Sequence, residues 1–111
     1  TTDTSFITAY ANDFGFDGIF SRQVETLGRT EDVLIGISTS GNSKNVVGAM
    51  QVARAAGIGT IAFSGEGGGE ICSHADIAIC VPSRNTMHVQ EAHIALGHVI
   101  TLTVEQILGH Q

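Results

Sequence analysis

Hydroxyl side chains are concentrated in one short segment, residues 38–43, which reads Ser-Thr-Ser-Gly-Asn-Ser. It lies between a continuous apolar run and a helical pattern, so it joins the end of a strand to the start of a helix. The free N–H groups of a helix start attract anions, and Gly41 permits a close backbone approach. The segment has no lysine and no GxxxxGK[ST] pattern, unlike a nucleotide P-loop. We therefore predict an anion site here and call residues 38–43 the serine loop.

The same segment has a structural alternative. Asn42 or Ser43 could simply cap the following helix, with the other hydroxyls as ordinary turn residues. A second glycine-rich segment, residues 64–69, follows the next apolar run. We interpret it as a turn and not as a second anion loop, because the preceding run is short and no series of hydroxyls follows.

A second pair of candidates, Gln90 and His98, lies in the last helical pattern of the chain. Histidine is the side chain whose ordinary pKa lies nearest to neutrality, which suits proton transfer. A glutamine amide can both donate and accept, which suits orientation of a hydroxyl or weak ligation of a metal. The alternatives are a hydrogen-bonded structural histidine and a polar residue near a helix start. His93 falls on the opposite side of the helix from His98, so we expect it to pack or to bridge subunits.

The elements that position these residues follow from the hydrophobic periodicity. Apolar residues recur every three or four positions in four predicted helices, residues 5–14, 16–27, 45–56 and 87–108. Three short apolar runs are typical of buried parallel strands, residues 33–37, 60–63 and 77–81. Histidines without any motif around them are assigned to the surface, namely His74, His88 and His110.

Strands alternate with helices along the chain, which predicts a single α/β domain over residues 1–111. The expected fold is a doubly wound parallel sheet with helices on both faces, because each parallel crossover requires a helix. Three strands are fewer than the usual five or six, so we expect further strands and helices before Thr1. The chain also begins without Met, which agrees with a trimmed or partial sequence.

Composition excludes several classes of function. A net charge of −6 with five Lys and Arg residues argues against nucleic-acid binding, and no apolar run is long enough to cross a membrane. Hydrophobic residues make up 42% and charged residues 14%, so we expect part of the surface to be buried in a homo-oligomer. Cys72 and Cys80 match neither a CxxC motif nor a disulfide framework, which favours reduced thiols in a cytoplasmic protein.

Residues 37–46 (ISTSGNSKNV) resemble the phosphosugar-binding signature of sugar isomerase (SIS) domains, which have a flavodoxin-like α/β fold. Further stretches are similar to the phosphoheptose isomerase branch of that family, at residues 1–5 (TTDTS), 12–16 (NDFGF), 20–24 (FSRQV), 81–83 (VPS) and 90–94 (QEAHI). The similarity runs from Thr1 to about Leu108. It implies an isomerase that interconverts sedoheptulose 7-phosphate and D-glycero-D-manno-heptose 7-phosphate, an early step towards the heptose of bacterial surface polysaccharide.

The resemblance also implies roles for individual residues. Contact with the sugar is implied for Thr2 and Asp3, and the phosphate would be bound by Ser38, Thr39, Ser40 and Ser43. Gln90 and His98 would lie at the reacting end, with His98 as the catalytic proton carrier. The other half of the family's site, a Gly-Asn-Gly-Gly-Ser turn and a helix carrying a His and a Glu, has no counterpart in residues 1–111.

Members of the family can bind one zinc ion per subunit and form tetramers. The resemblance implies Gln90 and His98 as zinc ligands, together with the His and Glu that residues 1–111 lack. A different class of function stays open. Some relatives are non-catalytic SIS proteins that bind a phosphosugar or a partner protein in replication initiation, and these tend to lack a histidine at the position of His98.

Overall fold

A parallel three-stranded sheet organises the chain in the computed structural model, which describes residues 1–109. The strands are β1 (Val33–Ile37), β2 (Gly59–Ser64) and β3 (Ile77–Cys80). The helices are α1 (Thr4–Phe14), α2 (Ile19–Leu27), α3 (Lys44–Ala55), α4 (Glu70–Ser73) and α5 (Thr86–Leu108), with a short 3-10 turn at Phe16–Gly18. The predicted parallel α/β fold is confirmed, and all but one of the predicted bounds lie within one residue of the observed ones. His110 lies outside the described residues.

The strands lie in the order β1-β2-β3, and both pairs are parallel. Ile37 is paired with Phe63, and Phe63 with Ile79, so the three strands end at the same edge of the sheet. Parallel crossovers are right-handed, so a strand order that follows the chain puts both crossover helices on one face. The serine loop leaves β1 at the carboxyl edge, where parallel sheets bind their ligands.

The core lies between the sheet and its two crossover helices. It is formed by Val47 and Met50 of α3, Ala62 of β2 and Ile71 of α4, all of them buried. Gly36 of β1 is required for this packing, because a Cβ atom there would lie 2.6 Å from the Sδ atom of Met50. Burial of such aliphatic side chains contributes about 1.5–3 kcal/mol each. This face therefore anchors the helix that follows the serine loop.

The opposite face of the sheet is less covered, which corrects one prediction. β1 was expected to be a buried strand, but Val33 and Ile37 are 60% and 52% exposed and Ile77 of β3 is 56% exposed. The reason is topological, since β1 is an edge strand and the crossover helices occupy the other face. Here α5 contacts the sheet near its carboxyl edge through Val89 and His93, the buried residues of that helix.

Helices α1 and α2 pack beside the β1 edge. The predicted second helix starts as the 3-10 turn and continues as α2, which packs against α3. An apolar groove of about 520 Å³ lies between these helices and β1, with Phe16, Phe20 and Ile35 in its walls. It is not formed by the serine loop.

Most of α5 projects from the domain. Large apolar side chains on its outer turns are more than half exposed, namely Ile94, Val99, Leu102, Ile107 and Leu108. Gly109 ends the helix in a left-handed conformation with φ +75°. Across residues 1–109, no helix has both the length and the apolar character needed to cross a membrane.

Candidate functional site

Three serine hydroxyls converge at the carboxyl end of β1. The N–H of Ser38 donates to the carbonyl of Phe63 over 3.0 Å, which extends the strand pairing into the loop and buries Ser38. The Oγ atom of Ser38 lies 2.8 Å from that of Ser43 and 3.4 Å from that of Ser40. Ser40 and Ser43 are themselves exposed, so this hydroxyl cluster is open to a ligand.

The cluster does not serve to cap the next helix. Ser43 occupies the N-cap position of α3, but its side chain makes no capping hydrogen bond. The Oδ1 atom of Asn42 accepts instead from the N–H of Glu70, over 2.9 Å. The simple capping alternative therefore describes neither side chain. The first N–H groups of α3, which have no acceptor within a helix, are left without a side-chain cap from Ser43.

Two backbone N–H groups shape the loop itself through three hydrogen bonds. The N–H of Gly41 donates to both the carbonyl and the Oγ of Ser38, each over 3.1 Å, and the N–H of Asn42 donates to the Oγ of Ser40 over 3.2 Å. These bonds turn the chain tightly and direct the serine side chains to the same side. Gly41 has φ +73°, a conformation that a side chain disfavours.

The glycine-rich segment is a turn, as predicted, and it contacts the serine loop. We call residues 65–69 the glycine turn. A Cβ atom on Gly41 would lie 1.9 Å from the carbonyl oxygen of Gly68, and one on Gly69 would lie 2.6 Å from the Cα of Gly41. The N–H of Ile71, just after the turn, donates to the carbonyl of Gly41 over 2.9 Å. The glycine turn is therefore a packed support for the serine loop.

The other predicted binding residues are Thr39 within the serine loop and Thr2 and Asp3 at the start of the chain. Thr39 is half-buried, and its backbone carbonyl packs against Gly65 of the glycine turn. Thr2 and Asp3 are exposed at the start of α1, where Asp3 caps the helix by accepting from the N–H of Phe6 over 3.1 Å. The capping bond gives Asp3 a structural role whether or not it also contacts a sugar.

Gln90 and His98 both lie on α5 and are exposed, but the structure does not bring them together. Eight residues along a helix give about 12 Å of rise and about 80° of rotation. His93 packs into the domain, in agreement with the prediction, and its Nε2 lies 2.9 Å from the carbonyl oxygen of Ser64. Its ring also lies 5.6 Å from that of Phe63. This histidine fixes α5 on the sheet and turns His98 away from it.

No metal centre is formed by the described residues. Among them, no group of three His, Cys, Asp or Glu side chains is placed to hold an ion. A helix rise of about 12 Å between Gln90 and His98 is long for two ligands of one ion, although the lean of helical side chains towards the N-terminus brings His98 closer to Gln90. The donor set of this chain therefore does not fit zinc by itself, and we describe no chemistry through a metal.

The sequence interpretation missed the residues that support the loop. Asn42, Gly68 and Gly69 hold it through contacts between segments that are about 27 positions apart. A run of three glycines with positive φ was the available signal, because such a run permits a close backbone approach. His74, assigned to the surface, is half-buried beside Gln51.

The profile of the SIS domain family matches residues 1–65, which is more than half of the chain and includes the serine loop. The chain belongs to the SIS domain family. Solved structures agree with this assignment. A phosphoheptose isomerase from Neisseria gonorrhoeae superposes with a TM-score of 0.86 at 48% identity, over 88% of this chain and 56% of that one. One from Francisella tularensis gives a TM-score of 0.91 at 37% identity, over 96% and 57%.

This SIS domain also has curated relatives at higher identity. It is 51% identical over 108 residues to a phosphoheptose isomerase of Roseiflexus sp. (strain RS-1), which covers 97% of this chain and 55% of the relative. It is 54% identical over 106 residues to a phosphoheptose isomerase of Trichlorobacter lovleyi, over 96% of this chain and 54% of the relative. The chain thus spans about half the length of the curated relatives it matches.

Proposed function

We propose that this SIS domain supplies the phosphate-binding part of a phosphoheptose isomerase. The reaction interconverts sedoheptulose 7-phosphate and D-glycero-D-manno-heptose 7-phosphate. The observation that carries the proposal is the convergence of the Ser38, Ser40 and Ser43 hydroxyls at the carboxyl end of β1, beside the start of α3, which Ser43 does not cap. The relatives are 51% and 54% identical in sequence over nearly the whole chain, and their names support the choice of substrate.

The serine loop would bind the phosphate through neutral donors. Each hydroxyl can donate one hydrogen bond, and the short Ser38–Ser43 contact would be exchanged for bonds to phosphate oxygens. The first N–H groups of α3 and the positive end of its dipole add further stabilisation of negative charge. Thr39 is assigned to the same phosphate contact. No cation is needed within the loop, which suits a ligand that must be released after each turnover.

The chemistry at the other end of the sugar requires a proton to move between C1 and C2. A base removes a proton from the carbon beside the carbonyl, and an acid protonates the carbonyl oxygen as the enediol forms. We assign proton transfer to His98, which is exposed on α5 and has no structural hydrogen bond among the described residues. Gln90, Thr2 and Asp3 are assigned to hydroxyl groups of the sugar.

A zinc site in this protein would also need ligands that residues 1–111 do not contain. Gln90 and His98 would be its ligands from this chain, and when bound the ion would polarise the substrate carbonyl. Because the described residues do not form the centre themselves, no step attributed to them depends on it. We expect one ion per subunit in a protein that carries the remaining ligands.

We further propose that the protein is a homo-oligomer, a tetramer by analogy with the family, and that it is located in the cytoplasm. Exposed apolar residues on two separate helical surfaces support assembly, among them Phe14 and Leu27 near α1 and α2, and Leu102 on α5. The free thiols of Cys72 and Cys80 agree with a reducing compartment. The alternative of a non-catalytic binding protein gains no support from the names of the relatives.

The test is an isomerisation assay with the full-length protein. Sedoheptulose 7-phosphate should be converted to D-glycero-D-manno-heptose 7-phosphate, and sedoheptulose without the phosphate should react far more slowly because its anchor is missing. Equal rates for the two substrates would contradict the proposal that the serine loop binds the phosphate. Binding of sedoheptulose 7-phosphate without any conversion would favour the non-catalytic alternative. The 111-residue chain assayed alone should be inactive.

A further inference from the structure

The two cysteines of the chain meet behind the glycine turn, although they are eight positions apart in the sequence. Cys72 lies on α4 and Cys80 ends β3, and their Sγ atoms are 3.6 Å apart. The Oγ of Ser64, which is paired with Cys80 across β2 and β3, lies 3.4 Å from each sulfur. Two thiols in van der Waals contact at the edge of a parallel sheet form a dithiol without a CxxC spacing.

We propose that Cys72 and Cys80 form a reversible disulfide that weakens phosphate binding at the serine loop. The disulfide itself does not depend on the proposed function, but its effect on phosphate binding does. A peroxide is the class of oxidant required, and a small thiol is the class of reductant. Disulfides inside cells are typically transient and redox-sensing, which fits a pair of free thiols.

The two thiols differ in their access to a dissolved oxidant. Cys80 is exposed, whereas Cys72 is half-buried and donates to the carbonyl of Gly68 over 3.3 Å. Burial raises the pKa of the Cys72 thiol, the hydrogen bond with Ser64 partly offsets this, and the neighbouring Cys80 reinforces it. Cys80 is therefore the thiol that meets the oxidant, and Cys72 is the thiol that completes the disulfide.

The reaction balances with one peroxide molecule. The Cys80 thiol loses its proton, the thiolate attacks a peroxide oxygen, and the O–O bond breaks. The products are a Cys80 sulfenic acid and a hydroxide, which takes up the released proton and becomes water. The Cys72 sulfur then attacks the Cys80 sulfur, the S–O bond breaks, and hydroxide leaves with a proton as a second water. Two thiols lose two electrons and two protons in total. Two molecules of a small thiol reverse the reaction by exchange and become a disulfide themselves.

The thiol pair is connected to the serine loop by direct contacts. A Cβ atom on Gly68 would lie 3.1 Å from the Sγ of Cys72 and 3.3 Å from that of Cys80, so this glycine packs over both sulfurs. The next glycine of the turn, Gly69, packs against Gly41. The N–H groups of Glu70 and Ile71, which begin the helix that carries Cys72, donate to the Asn42 side chain and the Gly41 carbonyl.

Disulfide formation must therefore disturb these contacts. The sulfurs have to close from 3.6 Å to about 2.05 Å, and the bond from the Cys72 thiol to Gly68 is lost. The strand residue Cys80 is held by its pairing with Ser64, so the adjustment falls on α4 and the glycine turn. Both support Gly41 and Asn42 in the serine loop, so the loop shifts with them.

The experiment treats the reduced full-length protein with hydrogen peroxide and analyses it by non-reducing mass spectrometry. We expect loss of two hydrogens and a cross-linked peptide pair containing Cys72 and Cys80, reversed by dithiothreitol. The matched controls Cys72→Ser and Cys80→Ser should form no intramolecular bond. Persistence of both free thiols, or a disulfide between chains only, would overturn the proposal.

The coupling is measured by calorimetric titration of sedoheptulose 7-phosphate into the reduced and the oxidised protein. We expect about three- to tenfold weaker binding after oxidation, the effect of one or two weakened hydrogen bonds. Cys80→Ser should bind equally well before and after peroxide. An intramolecular disulfide with unchanged affinity would refute the coupling. Lack of binding by the reduced protein would instead refute the proposed function, and the thiol analysis would still decide whether the disulfide forms.

Discussion

The Oγ atoms of Ser38 and Ser43 lie 2.8 Å apart, across the end of β1 and the start of α3. The two residues thereby join the ends of the serine loop, next to the strand and the helix that flank it. Because the Ser43 hydroxyl does not cap α3, the hydroxyl cluster is open to an anion; at the adjacent helix start, the Oδ1 atom of Asn45 accepts from the N–H of Val46. The predictions below test this arrangement and the residues that support it.

Ser40→Ala should weaken binding of sedoheptulose 7-phosphate by about three- to tenfold, because it removes one exposed donor from the cluster. Titration calorimetry of the full-length protein measures the change. Thr30→Ala is the matched control, since this exposed hydroxyl lies just before β1, at the amino end of the sheet. If Ser40→Ala bound sedoheptulose 7-phosphate as tightly as the unmutated protein does, Ser40 would not be part of the phosphate site.

Gly41→Ala should abolish phosphate binding and lower the free energy of unfolding by at least about 1–3 kcal/mol. The alanine Cβ would meet the Gly68 carbonyl oxygen at 1.9 Å and would also strain a backbone with φ +73°. Urea denaturation and titration of sedoheptulose 7-phosphate measure the two effects.

Gly67→Ala separates strain from collision in that experiment. Gly67 has a similar φ of +84°, but a Cβ there would meet nothing within 4 Å. The Gly67→Ala protein should therefore be destabilised by backbone strain alone and should keep most of its affinity for phosphate. Equal losses in the two variants would show that contact between the serine loop and the glycine turn is unimportant.

His98→Asn should lower turnover by about 10²- to 10⁴-fold while leaving phosphate affinity and folding unchanged. The side chain is exposed, so its replacement creates no cavity. His88→Asn, on the same helix and also exposed, is the control and should stay active. An active His98→Asn enzyme would show that another group transfers the proton.

His93→Ala should destabilise the protein by about 1–3 kcal/mol, because it removes a buried hydrogen bond to the Ser64 carbonyl, which keeps only the N–H of Val81 as a donor, and leaves a cavity under α5. Urea denaturation of the full-length protein measures this loss. Glu91→Ala, an exposed substitution two residues earlier, should stay within about 0.5 kcal/mol of the unmutated protein. If His93→Ala were as stable as Glu91→Ala, the buried histidine would not anchor α5.

Leu102→Glu should weaken self-association, since it puts a charge on the exposed apolar surface of α5. Light scattering at micromolar concentration should give an oligomer for the full-length protein and a smaller species for the variant. Thr103→Glu adds the same charge one residue away and should have less effect. A monomeric unmutated protein would contradict the proposed homo-oligomer directly.

Local patterns in the sequence determined the elements and the position of the serine loop. The apolar run Val33–Ile37 was predicted with its observed bounds, because a parallel strand needs consecutive apolar residues and ends abruptly at a polar loop. The helices were predicted to within a few residues, since their periodicity and closing glycines are local signals. The predicted type of ligand, an anion, rests on hydroxyls and a glycine within six residues.

Only the tertiary structure decided how these elements support one another. The exposure of β1 depends on strand order and on which face the crossover helices cover, and neither is contained in a short segment. Contacts of Gly41 with Gly68, of His93 with Ser64 and of Cys72 with Cys80 join residues of different elements, up to 29 positions apart in the sequence. They arise because the parallel register brings the ends of β1, β2 and β3 to one edge of the sheet.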